Sequence, residues 1–321
     1  MKTKSVIFYD MTLISNRPTR TQTQINSKFN VMTRLNFLKS AVITAITVIV
    51  LSSCGDNEST RKMTMRTTAS EVSFSLEGTD KATVNWGDGK SETVRLRVWG
   101  NWGSSPTNFK HSYSTKSTHT ITISGQHVGS IYIQSSELIS LDVSRNTVLG
   151  FLFCPDNQIN ILDIGNITEL SQLYCSENQL TSLDISNNLK LRVLNCRSNQ
   201  LTSLDVSRNT MLESLTCANN LLTSLDVSKN KLLKDLHCAN NQLTSLDLSR
   251  NSVLTNVIVR NNKLTADALN ALFATLHNNT IMGGNNFPVE KQIYIGGNPG
   301  IDDCDHKIAE SKGWTVWFQI D

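Results

Sequence analysis

Residues 201–220 read LTSLDVSRNTMLESLTCANN, and the chain repeats this text. Asp205 has counterparts at Asp142, Asp163, Asp184, Asp226 and Asp247, and Cys217 at Cys154, Cys175, Cys196 and Cys238, at a period of 21 residues. Units begin at Leu138, Ile159, Leu180, Leu201, Leu222 and Leu243. Such a period marks a solenoid, in which a unit too small to bury its own apolar set is covered by its neighbours. Leu215 and Cys217 lie two apart, so they share one strand face and point inward, while Ser214 and Thr216 point out. Each unit is expected to lay a parallel strand on a concave wall. Its second half, with Leu225 and Val227 inward, is expected as a short strand or extended segment on the opposite wall. Asn220 and its equivalents fall where the chain turns. Asparagine suits that place because it tolerates left-handed backbone and can bond neighbouring backbone through its amide.

The pattern LxxLxCxxNxL, as in Leu212, Leu215, Cys217, Asn220 and Leu222, resembles the leucine-rich repeat with cysteine at the third apolar position. The nested second half, LxxLDVSxN, is similar to a bacterial 21-residue subclass of that repeat, the IRREKO type. Val128, Ile131 and Ile133 form a degenerate rung before the array, and Ile293, Ile295 and Asn298 another after it. The resulting expectation is a repeat solenoid with parallel β-structure on its concave face and little helix, with a small antiparallel β-sandwich before it and an α/β cap after it. The segments are 1–53 as leader, 54–69 as flexible tether, 70–126 as sandwich, 127–263 as repeats and 264–321 as cap.

The sandwich is read from the alternating runs EVSFSLEG, KATVNWGDG, SETVRLRVW and THTITISG, with Asp88-Gly89 as a hairpin signal. WGDG at 86–89, His111-Ser112-Tyr113 and Thr120–Ile123 resemble the PKD domain, which implies an immunoglobulin-like sandwich common on bacterial surface proteins. The segment is short for that family and lacks its usual Gly-x-Tyr. After Leu264 the period breaks. ALNALFATLH predicts a helix over 266–277, a second helix is expected over 304–312 with Asp302, Asp303 and Asp305 as its N-cap, and WTVWFQI is the last strand.

Ala41–Leu51 is an apolar run of eleven residues, short of the ~20 that cross a bilayer as a helix. Arg34 and Lys39 precede it, as in a secretory signal. Leu51-Ser52-Ser53-Cys54 resembles a bacterial lipobox, which implies that Cys54 is diacylated and anchors the protein in a bacterial cell-envelope membrane. The outer membrane is the expected location, with the surface-exposed and periplasmic faces both left open. Met32 begins a compact signal, so residues 1–31 are expected not to be translated. Residues 1–53 carry seven Lys and Arg against Asp10, leaving the rest of the chain slightly acidic within a total of +3. No basic stripe is present for nucleic acid.

The five repeat cysteines should stack inside the core, about 4.8 Å apart like any neighbouring strands. That misses disulfide geometry, so free thiols are expected, and a straight row does not converge on a metal. Six stacked aspartates should face outward, either bonded to serine hydroxyls and backbone N–H groups or forming a row of weak cation sites. No nucleophile, base or cofactor motif appears, so neither an enzyme nor a cofactor is expected. Binding is the expected role, through outward residues of the concave wall. The candidates are Phe151, Phe153, Tyr174, Asn195, Arg197, Asp235 and His237. Exposed aromatics on adjacent rungs suit a protein anchor or a sugar ring. Phe151 and Phe153 could equally pack beneath the sandwich. The expected partner is a protein or glycan, bound by a monomer; the alternative is an envelope scaffold with no soluble ligand.

Overall fold

Alternation of apolar and polar residues gives the N-terminal region its strands: β1 (Lys62–Thr67), β2 (Glu71–Gly78), β3 (Lys81–Asn85), β4 (Ser91–Arg95), β5 (Thr107–Ser112) and β6 (His119–Ser124). Then follow β7 (Val128–Tyr132) and β8 (Leu138–Asp142). In this computed structural model, residues 61–98, 105–284 and 287–319 are described. The hairpin at WGDG joins β3 to β4, with Gly87 and Gly89 both at positive φ. A Cβ at Gly87 would stand 2.4 Å from the Thr120 carbonyl oxygen, so only glycine fits there.

One sheet runs β4-β3-β6-β1-β8. The second begins β5-β2-β7 and continues through the three-residue rung strands β9 (Phe151–Phe153), β10 (Gln172–Tyr174), β11 (Val193–Asn195), β12 (Ser214–Thr216), β13 (Asp235–His237) and β14 (Asn256–Ile258). It ends on β15 (Lys291–Tyr294) and β16 (Trp314–Trp317). From β7 to β16 every pairing is parallel and in register. The N-terminal strands are therefore the first members of the solenoid's own walls. β2 pairs with β7 on one wall and β1 with β8 on the other.

Two expectations change here. No break in the sheets falls at 126/127, because both walls run through that point. A tether over 54–69 is also too long: 54–60 lies outside the described residues, but Lys62–Thr67 is a strand lying between β6 and β8. Met63 and Met65, two apart in KMTMRT, are each 1 % exposed. Unbranched methionine fills that inner face as readily as a β-branched residue. The leader and Cys54 also lie outside the described residues.

The second half of each unit forms a strand only at β8; later units run extended through their Leu and Val positions and turn at Ser-x-Asn. At the far end, α1 (Ala266–Thr275) occupies the insertion before β15, with Thr265 as N-cap accepting from the Ala268 N–H. It buries Leu269, Leu272 and Phe273. The second helix is shorter than expected: α2 spans Lys307–Glu310. His306 holds its N-cap position with no side-chain bond, so the expected capping by Asp302 and Asp303 is not seen, while Asp305 accepts from the Lys307 N–H at 3.2 Å. Ile293, Ile295 and Trp314 close the core.

Candidate binding face

Three ladders fix the geometry of the repeat. Asn157, Asn178, Asn199, Asn220, Asn241 and Asn262 are buried, and each Nδ2 donates both to its own turn and to the preceding rung. For Asn199 these bonds reach the Cys175 and Cys196 carbonyls at 3.0 Å, while its Oδ1 accepts from the Leu180 N–H at 3.0 Å. The left-handed residue is the one before: Glu177, Ser198, Asn219 and Asn240 all have φ 54. Asparagine is thus selected here for its amide rather than for its backbone freedom. Asn298 repeats the arrangement after the insertion, donating to the Val259 and Ile295 carbonyls.

Cys154, Cys175, Cys196, Cys217 and Cys238 are free, fully buried thiols, and Cys304 is a half-buried one. Burial pushes Cys154, Cys196 and Cys238 up to about 12 and the other two ladder thiols well above their ordinary value. On the opposite wall, each aspartate from Asp142 to Asp247 turns its Oδ1 onto the backbone N–H two residues on. Backbone N–H groups at Asp184 and Asp226, and the Ser207 hydroxyl at Asp205, hold these carboxyls below the usual carboxylate range. Among the described residues no three His, Cys, Asp or Glu side chains are grouped to hold a metal.

The outward face of the long sheet carries two in-register columns. One runs Tyr132, Phe153, Tyr174, Asn195, Thr216, His237, Ile258, and the other Ser130, Phe151, Gln172, Val193, Ser214, Asp235, Asn256. Phe151, Phe153 and Tyr174 come together, with Phe151–Tyr174 and Phe153–Tyr174 centroids both 5.6 Å apart. Tyr132 joins them, 4.8 Å from Phe151. Phe151 and Phe153 are half-buried, but Tyr174 is only 7 % exposed, so it supports the cluster more than it presents a surface.

Asn195, Asp235 and His237 lie further along the same face and are not part of this cluster. Asn195 accepts from the Arg197 N–H at 3.1 Å, which ties Arg197 to the rim of its own rung. Burial raises Asp235, partly offset by Asn256 and Lys234. One position before the strands, Glu213 takes Arg192 on one side and Lys234, at 2.8 Å, on the other. Burial alone would push its carboxyl up, but the two cations hold it below its ordinary value.

Two features escaped the sequence reading. The final asparagine of LxxLDVSxN forms a second buried ladder: Asn209 donates to the Ile185 and Asn188 carbonyls, and Asn230 to Val206 and Asn209. Its period was visible, but its inward direction was not. Glu77 and Tyr132 also escaped, because their membership of this face depends on β2 pairing with β7.

No family model matches the chain, and no curated protein does. Several solved structures are similar to it in fold. The functional domain of InlJ from Listeria monocytogenes, which includes a cysteine ladder, is 29 % identical over 61 % of this chain and 50 % of its own, with a TM-score of 0.35. A leucine-rich-repeat protein of Leptospira interrogans is 21 % identical over 55 % of this chain and 44 % of its own, at 0.44. The chain spans half or less of the length of these two. An internalin C2 of Listeria monocytogenes is 20 % identical over 60 % of this chain and 81 % of its own, at 0.50. The chain is a β-solenoid with little helix whose structural neighbours are leucine-rich-repeat proteins.

Proposed function

We propose that this is a lipid-anchored protein of a bacterial envelope whose solenoid holds a macromolecular partner, protein or glycan, against its concave wall. The observation that carries the reading is the outward face of the long sheet. Its inward residues are nearly invariant, Leu then Cys in rung after rung, whereas its outward columns change at every rung. A scaffold needs only the first property. Varied outward residues on a continuous strand wall, with aromatics gathered at one end, are what a recognition surface requires. The internalin and leucine-rich-repeat neighbours support a protein-binding use of the fold. Anchoring rests on LSSC at 51–54 and the apolar run before it, and the PKD-like reading of the first strands rests on WGDG.

Protease treatment of intact and lysed cells tests the location, with Cys54→Ala as the control for anchoring. Cleavage of the repeats on intact cells, lost with the release of the Cys54→Ala protein, is the expected result. Cleavage only after lysis would place the solenoid inside the envelope and remove adhesion to outside partners.

A further inference from the structure

Charge is unevenly distributed among the repeats. Residues 128–189 hold seven Asp and Glu against one Arg, whereas residues 190–264 hold ten Lys and Arg against five acids. The aromatic cluster lies on the acidic rungs. Asp156 and Glu177, on the turns after β9 and β10, stand exposed one rung apart. On the other flank Glu77, opposite Ser130 in the β2–β7 pairing, is 6 % exposed. Its Oε2 accepts from the Tyr132 hydroxyl at 3.2 Å. Its Oε1 is buried, and that burial outweighs the relief the Ser130 and Tyr132 hydroxyls give the carboxyl. No Lys or Arg occurs on β7, β9 or β10, nor on the turns at 133–137, 154–158 and 175–179. Lys110, two strands away on β5, is taken up by Glu71 at 2.8 Å.

A carboxylate buried beside an aromatic ring and eased only by hydroxyls is costly, and a cation is the group that relieves it best. Ring faces attract the same group. The aliphatic stem of a lysine or arginine can lie on Phe151 and Phe153 while its head reaches the carboxylates. A neutral sugar would need spare hydrogen-bonding groups beside the rings. Here the Tyr132 hydroxyl is committed to Glu77, and the Tyr174 hydroxyl lies 3.4 Å from Gln172 Oε1.

We infer that the Tyr132–Phe151–Phe153–Tyr174 cluster, flanked by Glu77, Asp156 and Glu177, docks a polypeptide segment through a lysine or arginine set beside an apolar residue. This rests on the reading of the concave wall as a binding surface and names the partner's chemistry.

The test is to pan a random peptide display library on the purified repeat protein, then measure one synthetic enriched peptide by fluorescence polarisation. Enriched peptides should share a Lys or Arg next to an aliphatic or aromatic residue. Affinity should fall about tenfold in Glu77→Gln, the loss of one charge-assisted bond, and should weaken with salt. Asp156→Lys with Glu177→Lys should weaken it similarly; both positions are exposed, so this variant decides the matter where Glu77→Gln does not fold. Enriched peptides that lack basic residues, or that ignore these variants but are lost in Thr216→Arg, overturn the inference and leave the concave-wall reading standing. Neutral oligosaccharides that bind wild type but not Phe153→Ala overturn it in favour of a sugar platform. Wild-type protein that binds neither peptides nor oligosaccharides overturns both.

Discussion

Asn220 reaches across the rung boundary to the carbonyl of Cys196, 24 residues earlier, at 3.1 Å. The same amide donates to the Cys217 and Ala218 carbonyls and accepts from the Leu201 N–H at 3.0 Å. One side chain therefore closes its own turn and joins two rungs. Asn220→Ala strands several buried backbone groups and should cost about 3 kcal/mol. Cys196→Ala removes only a sulfur from a well-packed site and should cost about 1 kcal/mol. Urea midpoints for the two variants test this order; an equal loss would mean that the amide bonds contribute little beyond packing.

The thiol ladder makes the fold sensitive to alkali. Burial raises the ladder thiols in the folded protein, to about 12 for three of them, so the folded state keeps its protons where the unfolded chain gives them up. Their contribution is fully present below the unfolded thiol range near 9 and is lost as pH rises toward the folded values. Each thiol steepens that loss by about 1.4 kcal/mol per pH unit. Stability measured from pH 8 to 11 should fall steeply, and Cys217→Ala should make the fall shallower by one proton. A Cys54→Ala protein treated with a thiol reagent at pH 8 should label at Cys304 first and at the ladder only on unfolding.

The repeat was legible because burial repeats in sequence: Leu215 and Cys217 recur at a fixed period, and period-two logic gives their direction. What was hidden depended on pairing between distant segments. Nothing in KMTMRT says that it lies between β6 and β8, 52 and more residues later in register. Glu77 reads as a polar residue ending a strand until β7 pairs beside it. Tyr174 reads as exposed in its column, yet Phe151 and Phe153 on the neighbouring rung shield its ring.

Removing β1 tests the strand at Lys62–Thr67. A chain starting at residue 70 loses the member of its sheet between β6 and β8 and exposes the face that Met63 and Met65 cover. It should unfold at clearly lower urea than a chain starting at residue 55. Equal midpoints for the two would mean that the segment is dispensable, as a tether would be.

The aspartate row gives a metal test. Each carboxylate already holds a backbone N–H two residues on, so Asp205→Asn, which keeps the accepting oxygen, should melt close to wild type, and Asp205→Ala lower. Millimolar calcium should leave the melting temperature of wild type unchanged. A rise with calcium that disappears in Asp205→Asn would instead identify these oxygens as cation ligands.

Tyr174 and Phe153 separate support from contact. Tyr174 is 7 % exposed, and burial raises its hydroxyl to about 12, so its ring belongs to the packed body of the wall. Tyr174→Ala should lose about 3 kcal/mol of stability and weaken any partner as a consequence. Phe153 is half-buried on the same cluster, 5.6 Å away. Phe153→Ala should cost only about 1–2 kcal/mol because part of its side chain already faces water. Its effect on partner binding should exceed its effect on melting. Both are read by pairing thermal melts with binding at a temperature where each variant is folded. A Phe153→Ala protein that melts as low as Tyr174→Ala would place the phenyl ring in the core, and the recognition surface would then have to lie further along the face, toward Asn195 and His237.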